Sequence, residues 1–187
     1  MTKLPISDSY WVEEDRLLAG QYPGNQDLET ARGRVDLFLK AGVNAFIDLT
    51  ESHELVPYEG ILYAQAKIHG VQVSYERISI RDYSISSSET MTKILNTIDK
   101  AINNGNCVYV HCWGGIGRTG TVVGCYLVRH GMPNEQAIKT VDQLYKTHPI
   151  NIYHPQSPET DEQIEFIRNW WEDHDDLNRS QKLFCEG

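Results

Sequence analysis

The chain has 187 residues, of which 40% are hydrophobic and 23% charged. These are the proportions of an ordinary soluble globular protein that is large enough for one proper core. Its formal net charge of −9 disfavours a surface that binds nucleic acid or an acidic membrane. No stretch approaches the length of a membrane span, and the N-terminal segment MTKLPISDSYW lacks the apolar run of a signal peptide.

The four cysteines, Cys107, Cys112, Cys125 and Cys185, include no CxxC pair. This spacing indicates neither a zinc site nor a disulfide framework. Cys107 and Cys112 would lie roughly 16 Å apart on one extended strand, which is too far for a disulfide bond. We therefore expect a reduced, cytoplasmic protein that forms one domain over residues 1–187 and needs no metal or cofactor.

The first part of the chain alternates strand and helix patterns. Residues 10–20 predict a short strand or hairpin at a sheet edge. Apolar residues at helical spacing predict a helix over 28–39, and the apolar run 43–49 predicts a strand. A weaker helix over 58–69 and an alternating strand over 71–80 follow.

The middle of the chain contains the clearest helix start. Ser86 and Glu89 have the spacing of a capping-box pair. The residues after them, 91–102, have one apolar face, and Gly105 is a natural stop. The apolar run 107–110 then predicts a short buried strand.

The last part of the chain is mainly helical. Amphipathic patterns predict helices over 121–130 and 137–145. A final helix is predicted to start at 157–159 and to carry Trp170 and Trp171, to which we assign core packing.

Strands that alternate with helices predict an α/β fold, a three-layer sandwich with a mostly parallel central sheet flanked by helices. Ligands of such sheets bind at the carboxyl ends of the strands. Cys112, Asp82 and Asp48 all follow predicted strands at that edge.

The stretch 108–120, VYVHCWGGIGRTG, concentrates the residues that carry chemistry. A glycine loop between a strand and a helix N-terminus can surround an anion with backbone N–H groups, and the helix dipole favours negative charge there. Cys112 lies where this field favours a thiolate nucleophile, and Arg118 offers a planar fork to two phosphate oxygens. A Walker phosphate loop would need a lysine at that point and is excluded. The residues expected to bind the phosphate are Trp113, Gly114, Gly115, Ile116, Gly117 and Arg118.

The segment 111–119 resembles the HC-x5-R signature, followed by Ser or Thr, of the protein tyrosine phosphatase superfamily. The compact chain is similar to the dual-specificity branch. The resemblance implies that Cys112 forms a thiophosphoryl intermediate and that His111 is a structural histidine that tunes the cysteine. A direct acid role for His111 is less favoured. Thr119 is expected to hydrogen-bond the sulfur, although a plain hydroxyl at a helix start would look the same.

Cleavage of a phosphate ester also needs a carboxylic acid that protonates the leaving oxygen. Asp82 lies at the end of a predicted strand, thirty residues before Cys112, and dual-specificity phosphatases have their acid at about this spacing. We therefore assign Asp82 as the general acid, with Asp48 as its rival.

The late segment 157–163, SPETDEQ, resembles the family's glutamine loop, which orients the hydrolytic water. Glu159 stands where some members have glutamine, so the role of this residue stays open. Gln163 is a weak candidate because a polar residue in the first turn of a helix is usually solvated.

The sequence therefore predicts a metal-independent phosphatase with a phosphorylated protein as partner, acting on phosphotyrosine and, as a broader option, on phosphoserine and phosphothreonine. Neither nucleic acid nor membrane is expected as a partner. A phosphoinositide or inositol phosphate phosphatase is the alternative enzyme, although the loop lacks the lysines often found in such members. A phosphoprotein-binding pseudoenzyme is disfavoured because Cys112, Arg118 and Asp82 are all present, and RNA 5′-phosphatase activity stays open.

Overall fold

The computed structural model describes residues 4–147 and 153–172. Five strands form one sheet, in the spatial order β1-β2-β5-β3-β4. The antiparallel β1–β2 hairpin lies at one edge, and β2, β5, β3 and β4 are parallel. The strands are β1 Ser9–Glu13, β2 Leu17–Gly20, β3 Val43–Asp48, β4 Ser74–Arg77 and β5 Cys107–His111.

Within the described residues, six helices cover the two faces of this sheet. One apolar cluster joins α1 and α2 to one face, and a larger cluster joins α3 to α6 to the other. The predicted three-layer α/β fold with a mostly parallel sheet is confirmed. No helix in the described ranges is long and apolar enough to cross a membrane. The helices are α1 Leu28–Lys40, α2 Glu59–His69, α3 Ser88–Asn103, α4 Gly117–Arg129, α5 Asn134–Tyr145 and α6 Asp161–Arg168.

Four local predictions need correction. The final helix starts at Asp161 rather than at 157–159, and it ends at Arg168, before both tryptophans. The predicted strand over 71–80 is regular only over β4, because the edge strand β4 pairs with β3 alone and β3 ends at Asp48. The predicted cap Ser86 is wrong by one residue, since the side chain of Ser87 accepts the hydrogen bond from the backbone of Thr90. The prediction that both tryptophans pack in the core is wrong for one of them, since Trp170 is buried but Trp171 is 73% exposed.

Asp48, at the end of β3, is a fully buried and fully paired carboxylate. It accepts hydrogen bonds from the backbone and hydroxyl of Thr50 at 2.8 and 2.7 Å, from the hydroxyl of Tyr75 at 2.7 Å, and from the guanidinium of Arg77 at 3.0 Å. Burial raises the pKa of Asp48, but the imidazole of His111 and these hydrogen bonds outweigh it and hold the pKa below its usual value. Asp48 therefore acts as a structural acceptor inside the fold.

His111, at the end of β5, is buried against this carboxylate. Its Nδ1 lies 4.0 Å from an Asp48 oxygen and 3.4 Å from the carbonyl oxygen of Cys112. Its Nε2 lies 2.7 Å from the hydroxyl of Tyr58, and the ring stacks on Tyr109. Because both acceptors face Nδ1, the imidazole proton belongs there and Tyr58 donates to Nε2. Asp48 raises the pKa of His111, but burial outweighs this effect and lowers the pKa to about 4. The imidazole is therefore neutral at pH 7.

We expect this neutral histidine to make the protein sensitive to mild acid. Below about pH 6.5, the ordinary histidine pKa, the unfolded chain gains a proton that buried His111 does not accept until about pH 4. The free energy of unfolding should therefore fall by up to about 3 kcal/mol across this interval. Urea unfolding at several pH values measures the loss.

His111→Gln should be less stable at neutral pH but should lose less stability on acidification. His53→Gln, at an exposed position, is the matched control and should keep the pH dependence of the original chain. An unchanged dependence in His111→Gln would show that another group causes the loss.

Candidate active site

A cleft of about 270 Å³ opens beside the carboxyl end of β5. Cys112 follows that strand directly, lines the cleft and is only 3% exposed. The lining residues are Asp8, Gln21, Asp82, Tyr83, Cys112, Trp113, Gly114, Ile116, Gly117, Arg118, Tyr145, His154, Glu159 and Gln163.

Two hydrogen bonds to backbone carbonyls hold the loop between β5 and α4. The N–H of Tyr22 donates to the carbonyl of Trp113 at 2.9 Å, and the hydroxyl of Ser157 donates to the carbonyl of Ile116 at 2.8 Å. Gly115 has a φ of +75°, and a Cβ there would lie 2.3 Å from the carbonyl carbon of Gly20. The loop therefore requires glycine at this point, both for its backbone angle and for its close approach to β2.

Helix α4 starts inside this loop without a side-chain cap. It begins at Gly117, and its N-cap residue Ile116 makes no side-chain hydrogen bond to the first turn. The first amides of a helix have no acceptor within the helix, so an anion can satisfy them. The loop amides and the helix dipole thus provide an anion-binding surface next to the sulfur of Cys112.

Arg118, in the first turn of α4, is buried and held by the loop after β3. Its Nη1 and Nη2 donate to the two carboxylate oxygens of Glu54 at 2.8 and 2.6 Å, and Nη1 also donates to the carbonyl of Ile80 at 3.1 Å. Burial lowers the pKa of Arg118, but the hydrogen bonds to Glu54 outweigh it, so the pKa lies above its usual range. Burial also raises the pKa of Glu54, yet Arg118 holds it below its usual value. Both groups are therefore charged, and they form a bidentate ion pair.

Asp82, after β4, reaches the same guanidinium. Its Oδ1 lies 2.8 Å from Nη2 of Arg118, and its side chain is about one-third exposed to the cleft. Among the residues that the structure describes, Nε of Arg118 and the hydroxyl of Thr119 are buried without a hydrogen-bond partner. An oxyanion in the cleft can therefore satisfy Nε of Arg118 together with the loop amides. This arrangement combines a thiol, a phosphate clamp and a carboxyl group in one cleft.

The late segment closes the cleft on another side. Glu159 lies 2.5 Å from Nδ1 of His154, and a Cβ at Gly117 would approach its carboxylate within 3.1 Å. Gln163 is fully buried; its amide oxygen accepts from the backbone of Glu159 and Thr160. The expectation that Gln163 is solvated is therefore wrong, because its side chain completes the capping box of α6.

The structure brings most of the predicted site residues to one cleft, but three of them lie behind it. Gly115 faces β2, and His111 and Thr119 are buried. Asp48 does not line the cleft. The residues that lie in the cleft are Asp82, Cys112, Trp113, Gly114, Ile116, Gly117 and Arg118.

Sequence reasoning missed Glu54, which lies 64 positions before Arg118, and also Asp8 and His154 in the cleft wall. A carboxylate in the polar loop after β3 was the one available signal for Glu54, and no local spacing marks Asp8 or His154. Within 4–147 and 153–172, no group of three or more His, Cys, Asp or Glu side chains is arranged to hold a metal ion.

Comparison with known proteins agrees with this geometry. The family model described as Tc-R-P, polymorphic toxin system, DSP-PTPase phosphatase, matches residues 26–132. The mouse protein tyrosine phosphatase domain-containing protein 1 is 29% identical over 64% of this chain and 17% of its own length. The phosphatidylglycerophosphate phosphatase PTPMT2 of Arabidopsis thaliana is 33% identical over 68% of this chain and 51% of its own length. The chain thus spans about half or less of these curated relatives.

The fold has close matches among solved structures. The core catalytic domain of the PP-IP phosphatase SIW14 from S. cerevisiae superimposes with a TM-score of 0.66. The superposition covers 97% of this chain and 96% of that domain, at 17% sequence identity. The family model covers more than half of the chain and includes the whole loop from β5 to α4. The chain therefore belongs to the DSP-PTPase phosphatase family of polymorphic toxin systems, within the cysteine-based protein tyrosine phosphatase superfamily.

Proposed function

We propose that this phosphatase hydrolyses single phosphomonoesters, and phosphotyrosine in proteins above all. The charge distribution of the cleft carries the proposal. Asp8, Asp82 and Glu159 line it, whereas Arg118 is the one Lys or Arg among the described lining residues. His154 is paired with Glu159. A substrate with several phosphates would bring its second phosphate against carboxylates, so a lone phosphate on a neutral or cationic carrier suits the cleft.

The aromatic rim of the cleft supports an aryl phosphate. Tyr83 and Trp113 both line the cleft and are more than half exposed. Tyr83 has a φ of +55°, an uncommon backbone angle for a bulky residue. These rings can pack on the phenyl ring of phosphotyrosine, and the nearly buried sulfur of Cys112 suits a substrate that is long enough to reach it.

In the first step the thiolate of Cys112 attacks the phosphorus, and an S–P bond forms as the P–O bond to the leaving group breaks. The loop amides and Arg118 stabilise the charge on the non-bridging oxygens. Asp82, which lines the cleft beside Arg118, donates its proton to the leaving oxygen, and its position at the cleft supports this role.

In the second step water attacks the phosphorus, the S–P bond breaks, and the sulfur leaves as a thiolate. The proton lost by the water returns to Asp82, which restores the acid, and inorganic phosphate is released. The buried hydroxyl of Thr119 supports a role as donor to the departing sulfur. His111 positions the loop through the carbonyl of Cys112.

Phosphatidylglycerophosphate is the second candidate substrate. A phosphatase of this lipid is 33% identical over 68% of the chain, and the lipid carries one terminal phosphomonoester. Its second phosphate, a diester, makes it less suited than phosphotyrosine to a cleft lined by carboxylates. An inositol pyrophosphate is less compatible with the carboxylates of Asp8 and Glu159 in the cleft. A pseudophosphatase is disfavoured because the thiol, the arginine and the carboxyl group all meet in the cleft.

A substrate panel tests the proposal directly. Phosphate release should be fastest from phosphotyrosine peptides, with kcat/KM about tenfold or more above those for phosphoserine peptides, phosphatidylglycerophosphate and inositol polyphosphates. Cys112→Ser should lower release by about a thousandfold or more, because it removes the nucleophile. A clear preference for the lipid or for inositol polyphosphates would contradict the protein substrate.

Asp82→Asn tests the general acid. The variant should slow phosphotyrosine peptides by roughly 10²–10⁴-fold and nitrophenyl phosphate clearly less, because a nitrophenolate leaves without needing a proton. Rate constants for aryl phosphates of graded leaving-group acidity measure this difference. Asp15→Asn is the matched control, since Asp15 is exposed and its φ of +61° is one that asparagine accepts. Equal losses for every leaving group in Asp82→Asn would assign the acid role to another residue.

A further inference from the structure

A second groove, which we call the α6 groove, lies beside the catalytic cleft and shares a wall with it. Tyr83 lines the cleft while Ile85 lines the groove, and Gln163 lines the cleft while Glu162 lines the groove. The amide of Gln163 donates to the carbonyl of Ser84 at 3.3 Å, which joins the two parts of this wall. The lining residues of the α6 groove are Ile85, Ser88, Glu162, Glu165, Phe166, Asn169, Trp170 and Trp171.

The α6 groove combines an exposed aromatic surface with negative charge. Trp171 is 73% exposed, and the rings of Phe166 and Trp170, which line the same groove, stack with their centroids 5.5 Å apart. Glu162 and Glu165 lie three positions apart on α6, so they share one side of the helix. Glu162 has no ion pair among the described residues, whereas Glu165 also contacts Arg168. No lysine or arginine belongs to the described lining.

We propose that the α6 groove docks an arginine side chain of the phosphoprotein substrate, a few residues from the phosphotyrosine. A guanidinium can stack on the exposed indole of Trp171 while it pairs with Glu162 and Glu165. The inference rests on the proposed protein substrate. The acidic side chains of the α6 groove continue those of the cleft, which is itself lined by carboxyl groups.

The distance between the two sites suits one short peptide. Tyr83 and Ile85 are two residues apart, so their Cα atoms lie at most about 7 Å from each other. A substrate chain that leaves the cleft over this wall reaches the α6 groove within about two to four residues. The segment that follows Glu172 is a poorer occupant by net charge, since residues 173–187 contain three aspartates and one glutamate against Arg179 and Lys182.

An arginine scan of a phosphotyrosine peptide tests the docking. Arginine is placed singly at each position from four before to four after the phosphotyrosine, with glutamine at that position as reference. We expect one or two positions to raise kcat/KM by about three- to tenfold, the size of an exposed cation–π contact with an ion pair. High salt should reduce the gain, because the charges are exposed.

Two variants and two matched controls assign the gain to the α6 groove. Trp171→Ala and Glu162→Gln should each bring the arginine-to-glutamine ratio close to one; both side chains are exposed, so the fold should be retained. Tyr63→Ala and Glu29→Gln change exposed residues of α2 and α1, on the other face of the sheet, and should keep the full ratio. An arginine effect that survives in Trp171→Ala and Glu162→Gln would overturn the proposal.

A binding measurement separates this proposal from the proposed function. Calorimetry with Cys112→Ser should show that the arginine form of the phosphotyrosine peptide binds about three- to tenfold more tightly than its glutamine form, and that Trp171→Ala removes this difference. That result supports the docking even if phosphotyrosine peptides are not the preferred substrate. Equal affinities for the arginine and glutamine peptides would overturn it. Preferential binding of a synthetic peptide of residues 173–187, or association of two copies through Trp171, would assign the groove to a different occupant and overturn it as well.

Discussion

The buried guanidinium of Arg118 is the interaction on which the site depends. It brings together Glu54 from the loop after β3, Ile80 and Asp82 from the segment after β4, and its own loop after β5. Burial of a cation is costly unless its charge and its N–H groups are matched. The three loops at the carboxyl edge of the sheet must therefore be in place together, so that the phosphate clamp exists only in the folded chain.

This pairing also determines how the cleft can attract a phosphate. Two carboxylates, Glu54 and Asp82, already face the one guanidinium, so attraction of the substrate depends largely on the loop amides and on Nε of Arg118. The same sign of charge continues to Glu159 and to Glu162 beside the α6 groove. The described lining of both the cleft and the α6 groove is therefore predominantly acidic.

Asp48 and Asp82 show how the surroundings of a carboxylate decide what it can do. Asp48 is the last residue of β3 and Asp82 follows β4, its parallel neighbour in the sheet. Asp48 is enclosed and accepts from Thr50, Tyr75 and Arg77, so that it stabilises the fold behind the loop. Asp82 contacts Arg118 and faces the cleft, where it can exchange a proton with a bound molecule.

The sequence by itself determined the features that depend on neighbouring residues: the alternation of strands and helices, and the loop from Cys112 to Arg118 with its strand before and helix after. These follow from hydrophobic periodicity and from short spacing, which local backbone geometry imposes. Only the tertiary structure decided that Glu54 holds Arg118, that Asp82 rather than Asp48 reaches the cleft, that Gln163 is buried and that Trp171 is exposed. Each of these depends on which distant segments pack together, and no pattern within a single segment encodes such contacts.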